Sequence, residues 1–233
     1  MMSKPIVLVH GAWHGPWCWD RVTPLLDAAG VQWRAVDLPS AAVAKSGASD
    51  KDDVLAVLAV LDALPGDAPA VLLGHSRGGR VISEAGVHSR VGHLVYLAAF
   101  LAGDDIPMTS LVSKELPGAL VFEADGSSRV SPELGMAVFY NDCSEDDFAW
   151  ANAHLRAQSH QEAVTDSKAA WKTKPSTYVI CSKDRAIPAA AQRQMAQAAG
   201  TAIEWEVGHS PFANQPEKVA ALLIELSQSR WAR

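Results

Sequence analysis

Only three cysteines stand in the 233 residues, Cys18, Cys143 and Cys181, an odd number with no C-x-x-C pair. That scarcity argues against a disulfide scaffold or a thiolate metal site, and all three are expected to be reduced thiols in or beside apolar elements. Histidine does not make up the deficit. His10 and His14 are four apart, but Gly11 and Gly15 would break the helix that a paired-histidine zinc face needs. No metal site is therefore expected. Positive charge is also scarce: 20 Lys and Arg face 26 Asp and Glu, a formal net charge of -6, with no basic run. A nucleic-acid surface is excluded on that ground. The opening apolar run Ile6-Val7-Leu8-Val9 stops at His10-Gly11, too short for a signal core, so a cytoplasmic protein without membrane attachment is expected. There is no internal repeat and no low-complexity linker.

What is present is the composition of one globular domain over 1–233, 48% hydrophobic and 20% charged, long enough to bury a core without staples. Short apolar runs at 6–9, 32–36, 70–73, 93–98, 176–181 and 202–207 alternate with helix-length stretches at 16–29, 50–64, 77–88, 189–199 and 216–231. This alternation predicts an α/β fold, with a mostly parallel sheet of about six strands covered by helices on both faces. The interval from Phe100 to Lys174 breaks the rhythm. It carries Gly103, Pro107, Pro117, Gly118, Gly126 and Pro132, then helical stretches around 131–140 and 144–156. So long an excursion between strands is expected to be a helical cap, at about 103–170, folded over the active-site edge.

The run Gly74-His75-Ser76-Arg77-Gly78-Gly79 directly follows Ala70-Val71-Leu72-Leu73. A serine lifted out of a sheet on a sharp strand-to-helix turn needs small residues two positions either side, which makes Ser76 the candidate nucleophile. Ligands of an open parallel sheet bind beyond the carboxyl ends of its strands. The loops expected there hold His10-Gly11-Ala12-Trp13, then Asp184, then His209. Serine, acid and histidine follow in the order Ser76, Asp184, His209, with Asp104 or Asp105 after the strand near Ala99 as the alternative acid. A cation at a helix start is locally unfavourable, so the Arg77 side chain is expected to pair with a structural acid.

These motifs carry a resemblance. His10-Gly11-Ala12-Trp13-His14-Gly15-Pro16-Trp17-Cys18-Trp19, Pro24-Leu25-Leu26, Ala35-Val36-Asp37-Leu38-Pro39 and Gly74-His75-Ser76 are similar to the α/β-hydrolase superfamily. Within it they resemble the small esterase and hydroxynitrile-lyase group that includes the plant methyl esterases of salicylate and jasmonate. The resemblance implies a cofactor-free serine hydrolase that cleaves small carboxylic esters through an acyl-enzyme. Ser76 would attack, His209 would act as base, and Asp184 would fix the imidazole tautomer. Backbone N–H groups of Ala12 and Arg77 would hold the oxyanion. Trp13, Phe139, Phe148 and Trp150 are candidates for the substrate pocket. The expected partner is a small-molecule ester, and the pattern sets no oligomeric state, a homodimer being one option. Two alternatives are a cyanohydrin lyase on the same triad and a binding or receptor-like member of the fold. Lyases of the group carry a bulkier residue at the position of Gly11 and a lysine just after the histidine. Here Gly11 and Ser210 stand in those places.

Overall fold

The computed structural model describes residues 3–41, 47–101, 108–160, 168–229 and 231. Six strands, β1 (Ile6–Val9), β2 (Trp33–Val36), β3 (Ala70–His75), β4 (Val91–Leu97), β7 (Ser176–Cys181) and β8 (Thr201–Trp205), form one sheet in the order β2-β1-β3-β4-β7-β8. Every neighbouring pair in it is parallel. Successive residues of the central strands turn to opposite faces, as the two-residue period of a strand requires. Ile6, Leu8, Val71 and Leu73 enter one apolar cluster, Val7, Val9, Ala70 and Leu72 the other. The first cluster is closed by α1 (Thr23–Ala28) and α8 (Pro216–Gln228), the second by α2 (Asp50–Asp62), α3 (Gly78–Ala85) and α6 (Ala189–Ala196). Both faces are therefore covered, and β1, β3 and β7 are buried along their whole length.

Strand order brings the candidate site residues to one edge of the sheet. The chain steps from β1 outward to β2, then returns to the other side of β1 as β3, so the loops leaving β1 and β3 diverge at a topological switch point. Ala12 and Ser76 lie on those two loops.

Helix boundaries differ from the expected ones for local reasons. The stretch 16–29 is a 3-10 turn, Pro16–Trp19, followed by α1, in which Pro24 sits in the first turn, where its missing N–H is tolerated. The closing stretch is likewise preceded by a separate turn of helix, α7 (Pro211–Asn214), and Pro216 opens α8. The excursion between β4 and β7 carries α4 (Gly135–Phe139) and α5 (Glu145–Asn152), each shorter than anticipated. It also holds an antiparallel hairpin, β5 (Leu120–Phe122) with β6 (Ser128–Val130). The α5 start is a capping box: the Ser144 hydroxyl accepts from the Asp147 N–H while the Asp147 carboxylate accepts from the Ser144 N–H. Cys18, Cys143 and Cys181 are unpaired thiols. Among the described residues no helix is long and apolar enough to cross a membrane.

Candidate active site

Ser76 follows the last residue of β3 and has φ +52°, a left-handed conformation that costs a non-glycine residue on the order of 1–3 kcal/mol. The surroundings hold it there. Its N–H donates to the Leu97 carbonyl at 3.2 Å, and its carbonyl accepts from Gly79 and Phe100, both at 3.0 Å. The turn is so tight that a Cβ on Gly74 would stand 2.6 Å from the Gly78 carbonyl oxygen, which is why only glycine fits.

His209 and Asp184 meet as a buried pair, Nδ1 donating to Oδ2 at 2.7 Å. The carboxylate is saturated with donors. Its Oδ1 accepts from the amides of Ala186 (2.7 Å) and Ile187 (2.9 Å), and its Oδ2 also accepts from Gln192 Nε2 at 2.8 Å. Gln192, fully buried on α6, is itself fixed: Oε1 accepts from the Cys181 N–H at 2.9 Å and Nε2 also donates to the Ile187 carbonyl at 2.7 Å. Asp104 and Asp105 lie outside the described residues. His75, the residue before Ser76, ties the serine turn to the histidine loop. Its Nε2–H donates to the His209 carbonyl at 2.8 Å, and the two rings lie 4.8 Å apart.

The amide N–H groups of Ala12 and Arg77 make no hydrogen bond among the described residues, and both residues line the same cavity as Ser76. The loop around Ala12 is braced by neutral histidines. His14 Nδ1–H donates to the Ala12 carbonyl (2.7 Å) while its Nε2 accepts from the Tyr140 hydroxyl (2.7 Å). His10 Nδ1–H donates to the Gly11 carbonyl (2.8 Å) and its Nε2 accepts from the Leu38 N–H (3.1 Å). The Arg77 guanidinium turns to α2, donating to Asp53 at 2.7 Å and to Asp50, so its partners are structural acids.

Of the four expected pocket aromatics, Trp13 and Phe139 line the cavity, their rings 5.3 Å apart. Phe148 and Trp150 do not line it. Phe148 packs on Tyr140 (5.5 Å), while Trp150 packs edge-on to Trp17 (5.1 Å) and under the Arg21 guanidinium (4.5 Å), joining α5 to the body instead. The cavity measures about 170 Å³. Leu116, Val112, Phe100, Ala186 and Ile187 complete its apolar wall, and no cluster of His, Cys, Asp and Glu among the described residues could hold a metal ion.

Burial sets the protonation of the histidines around this loop. Desolvation lowers His10 from 6.5 to about 3 and His14 to about 4, and it holds His75 well below the usual range. His93, in β4, is lowered to about 4 by the same cause. These groups are neutral when folded and bind protons near the ordinary value when unfolded. Their stabilisation is therefore complete above about pH 6.5 and is lost as pH falls, by up to about 1.4 kcal/mol per pH unit for each. The urea midpoint should drop between about pH 7.5 and pH 5, above the range where most carboxylates titrate. A midpoint that is flat or rises over that interval would contradict this assignment.

The sequence matches the profile of the alpha/beta hydrolase family over residues 6–222. The chain belongs to that family. It is accordingly a hydrolase-type enzyme, and its relatives include salicylic acid-binding protein 2 of Nicotiana tabacum, 27% identical over 97% of this chain and 97% of that protein. Methylesterase 7 of Arabidopsis thaliana is 28% identical over 97% and 96%. Among solved α/β-hydrolase structures, polyneuridine aldehyde esterase superposes with a TM-score of 0.84 at 24% identity, covering 97% of this chain and 100% of that one.

Proposed function

We propose that this hydrolase cleaves small, uncharged carboxylic esters through an acyl-enzyme on Ser76. The observation that carries the reading is a convergence: a strained serine at a strand end, two amides beside it with no partner among the described residues, and a buried Asp184–His209 pair tied to the serine turn through His75. In this reading Ser76 Oγ gives its proton to His209 as it attacks the ester carbonyl. The developing oxyanion collects the N–H groups of Ala12 and Arg77, and the imidazolium, oriented by Asp184, returns the proton to the leaving alkoxide. Water then repeats the sequence on the acyl-enzyme and releases the acid. Relatives named methylesterase and polyneuridine aldehyde esterase support ester cleavage as the class of reaction.

Cavity size and charge narrow the substrate. A dry apolar cavity of about 150 Å³ accommodates benzene, so about 170 Å³ suits an acyl or alcohol group of phenyl or short-chain size. At the polar end Arg77 and Arg80 stand against Asp50 and Asp53, so the described groups offset one another and favour a neutral ester. A nitrophenyl ester series should peak at butyrate-like or phenyl-bearing acyl groups and fall steeply at decanoate. Phe139→Ala should move that optimum to longer chains, raising the long-to-short rate ratio by about tenfold, the worth of one or two methylenes in a pocket. Equal loss on every ester would instead indicate destabilisation, for which truncating a core aromatic costs about 3–5 kcal/mol.

The surroundings of Gly11 and Ser210 support the esterase reading over the cyanohydrin-lyase alternative, because the side chains of the lyase pattern fit poorly at both positions. A Cβ on Gly11 would stand 2.9 Å from both Ser76 Cβ and His75 Nδ1, and a lysine replacing the fully buried Ser210 would carry an ammonium into the core.

A further inference from the structure

The two residues that carry the candidate oxyanion N–H groups are both linked, through neighbouring atoms, to one side chain of the excursion between β4 and β7. Trp13, next to Ala12, has φ +62°, and each of its polar groups bonds to that excursion. Its N–H donates to Gln158 Oε1 (3.3 Å), its indole Nε1–H to Ser128 Oγ (2.9 Å), and its carbonyl accepts from the Arg156 N–H (2.8 Å). The peptide unit joining Ala12 to Trp13 is thus clamped at both ends, its carbonyl by His14 and its N–H by Gln158. The Ala12 N–H lies in the preceding unit, whose Gly11 carbonyl is held by His10, so the clamp bears on that donor through the Ala12 backbone.

The other end of Gln158 leads to Arg77. Its Nε2 donates to Ser40 Oγ (2.9 Å) and to the Ser159 carbonyl (2.8 Å). Ser40 in turn donates twice to Asp53, from N–H (2.9 Å) and from Oγ–H (2.6 Å), and Asp53 accepts from Arg77 Nη1 at 2.7 Å. Gln158, Asp53 and Ser40 are buried, at 0%, 0% and 1% exposure. Such bonds lie beyond the reach of water and hold a fixed geometry. The backbone of Gln158 is also fixed, pairing with Ser128 in both directions at 2.8 and 3.0 Å.

We propose that Gln158 is a positioning residue that sets the two oxyanion donors by tying both residues to the β4–β7 excursion. The inference rests on the serine-hydrolase reading above. An acyl-transfer oxyanion exists in the transition state and not in the bound ester, so a misplaced donor lowers kcat and leaves KM nearly unchanged.

The test uses Gln158→Leu and Ser40→Ala, assayed on a nitrophenyl butyrate and with a trifluoromethyl ketone of matching chain length, which adds to the serine and places an oxyanion in the hole. Losing an oxyanion donor outright costs about 10²–10³ in kcat, so displacing one in Gln158→Leu should cost about 10- to 100-fold, with KM within about twofold. Ketone inhibition should weaken by the same factor. Ser40→Ala removes one oxygen and keeps the fold, and should move kcat and inhibition the same way by about fivefold, the worth of one hydrogen bond. It decides the matter if Gln158→Leu fails to fold. A folded Gln158→Leu, or Ser40→Ala in its place, with wild-type kcat and wild-type ketone affinity overturns the coupling and leaves the hydrolase reading intact. A wild type that neither hydrolyses the ester nor labels at Ser76 with a fluorophosphonate overturns both.

Discussion

Ser76→Ala is expected to lower kcat by about 10⁶-fold, the scale found when a serine nucleophile is removed from a triad that acts as a unit. The fold should survive, since alanine at φ +52° is strained no more than serine and the backbone bonds to Leu97, Gly79 and Phe100 do not involve the side chain. Ser76→Gly gives a sharper reading. It should be equally inactive yet at least as stable, because relief of a left-handed non-glycine residue, on the order of 1–3 kcal/mol, outweighs glycine's entropic cost of about 0.5–1 kcal/mol. Stability that rises as activity vanishes would mark the strain as maintained for the reaction. Residual turnover above about one part in 10³ in either variant would place the nucleophile elsewhere.

Asp184→Asn should lower kcat by about 10⁴-fold, because an amide can present an N–H to His209 and select the wrong tautomer. The geometry adds a second effect. Every bond to this carboxylate is an accepted one, from Ala186 and Ile187 at Oδ1 and from His209 and Gln192 at Oδ2. Turned one way, its NH₂ faces the Ala186 and Ile187 amides; turned the other, it faces Gln192 Nε2 while His209 switches tautomer, and each donor left unsatisfied costs about 1–3 kcal/mol. The variant should therefore unfold at lower urea as well as turn over slowly. Turnover within about tenfold of wild type would remove Asp184 from the acid's role. Asp104→Asn and Asp105→Asn should each be mild.

The fold and the serine turn were legible because they rest on short-range signals. Two-residue alternation in buried strands and Gly74 before Ser76 speak through their own neighbours. The hairpin in the excursion carries a local signal, Asp125-Gly126 between Leu120-Val121-Phe122 and Ser128-Arg129-Val130. Gln192 was detectable in principle, as an amide on the buried stripe it shares with Met195 and Ala196. Phe148 and Trp150 could not be placed, since a short helix has several faces that can bury an aromatic, and only packing on Tyr140 and Trp17 decides which is used. Gln158 gave no signal at all. Its partners Trp13 and Ser40 lie more than a hundred positions away in sequence, and no local pattern encodes a bond of that range.

The most direct test is to quench a nitrophenyl butyrate reaction in acid within the first turnovers and find the acyl mass by peptide mass spectrometry. An acyl-enzyme on Ser76 predicts a burst of nitrophenolate near one equivalent per chain. It also predicts a butyryl increment on the peptide bearing Gly74-His75-Ser76, absent in Ser76→Ala. Ester hydrolysis with no burst, no increment on that peptide, and full rate in Ser76→Ala would contradict it.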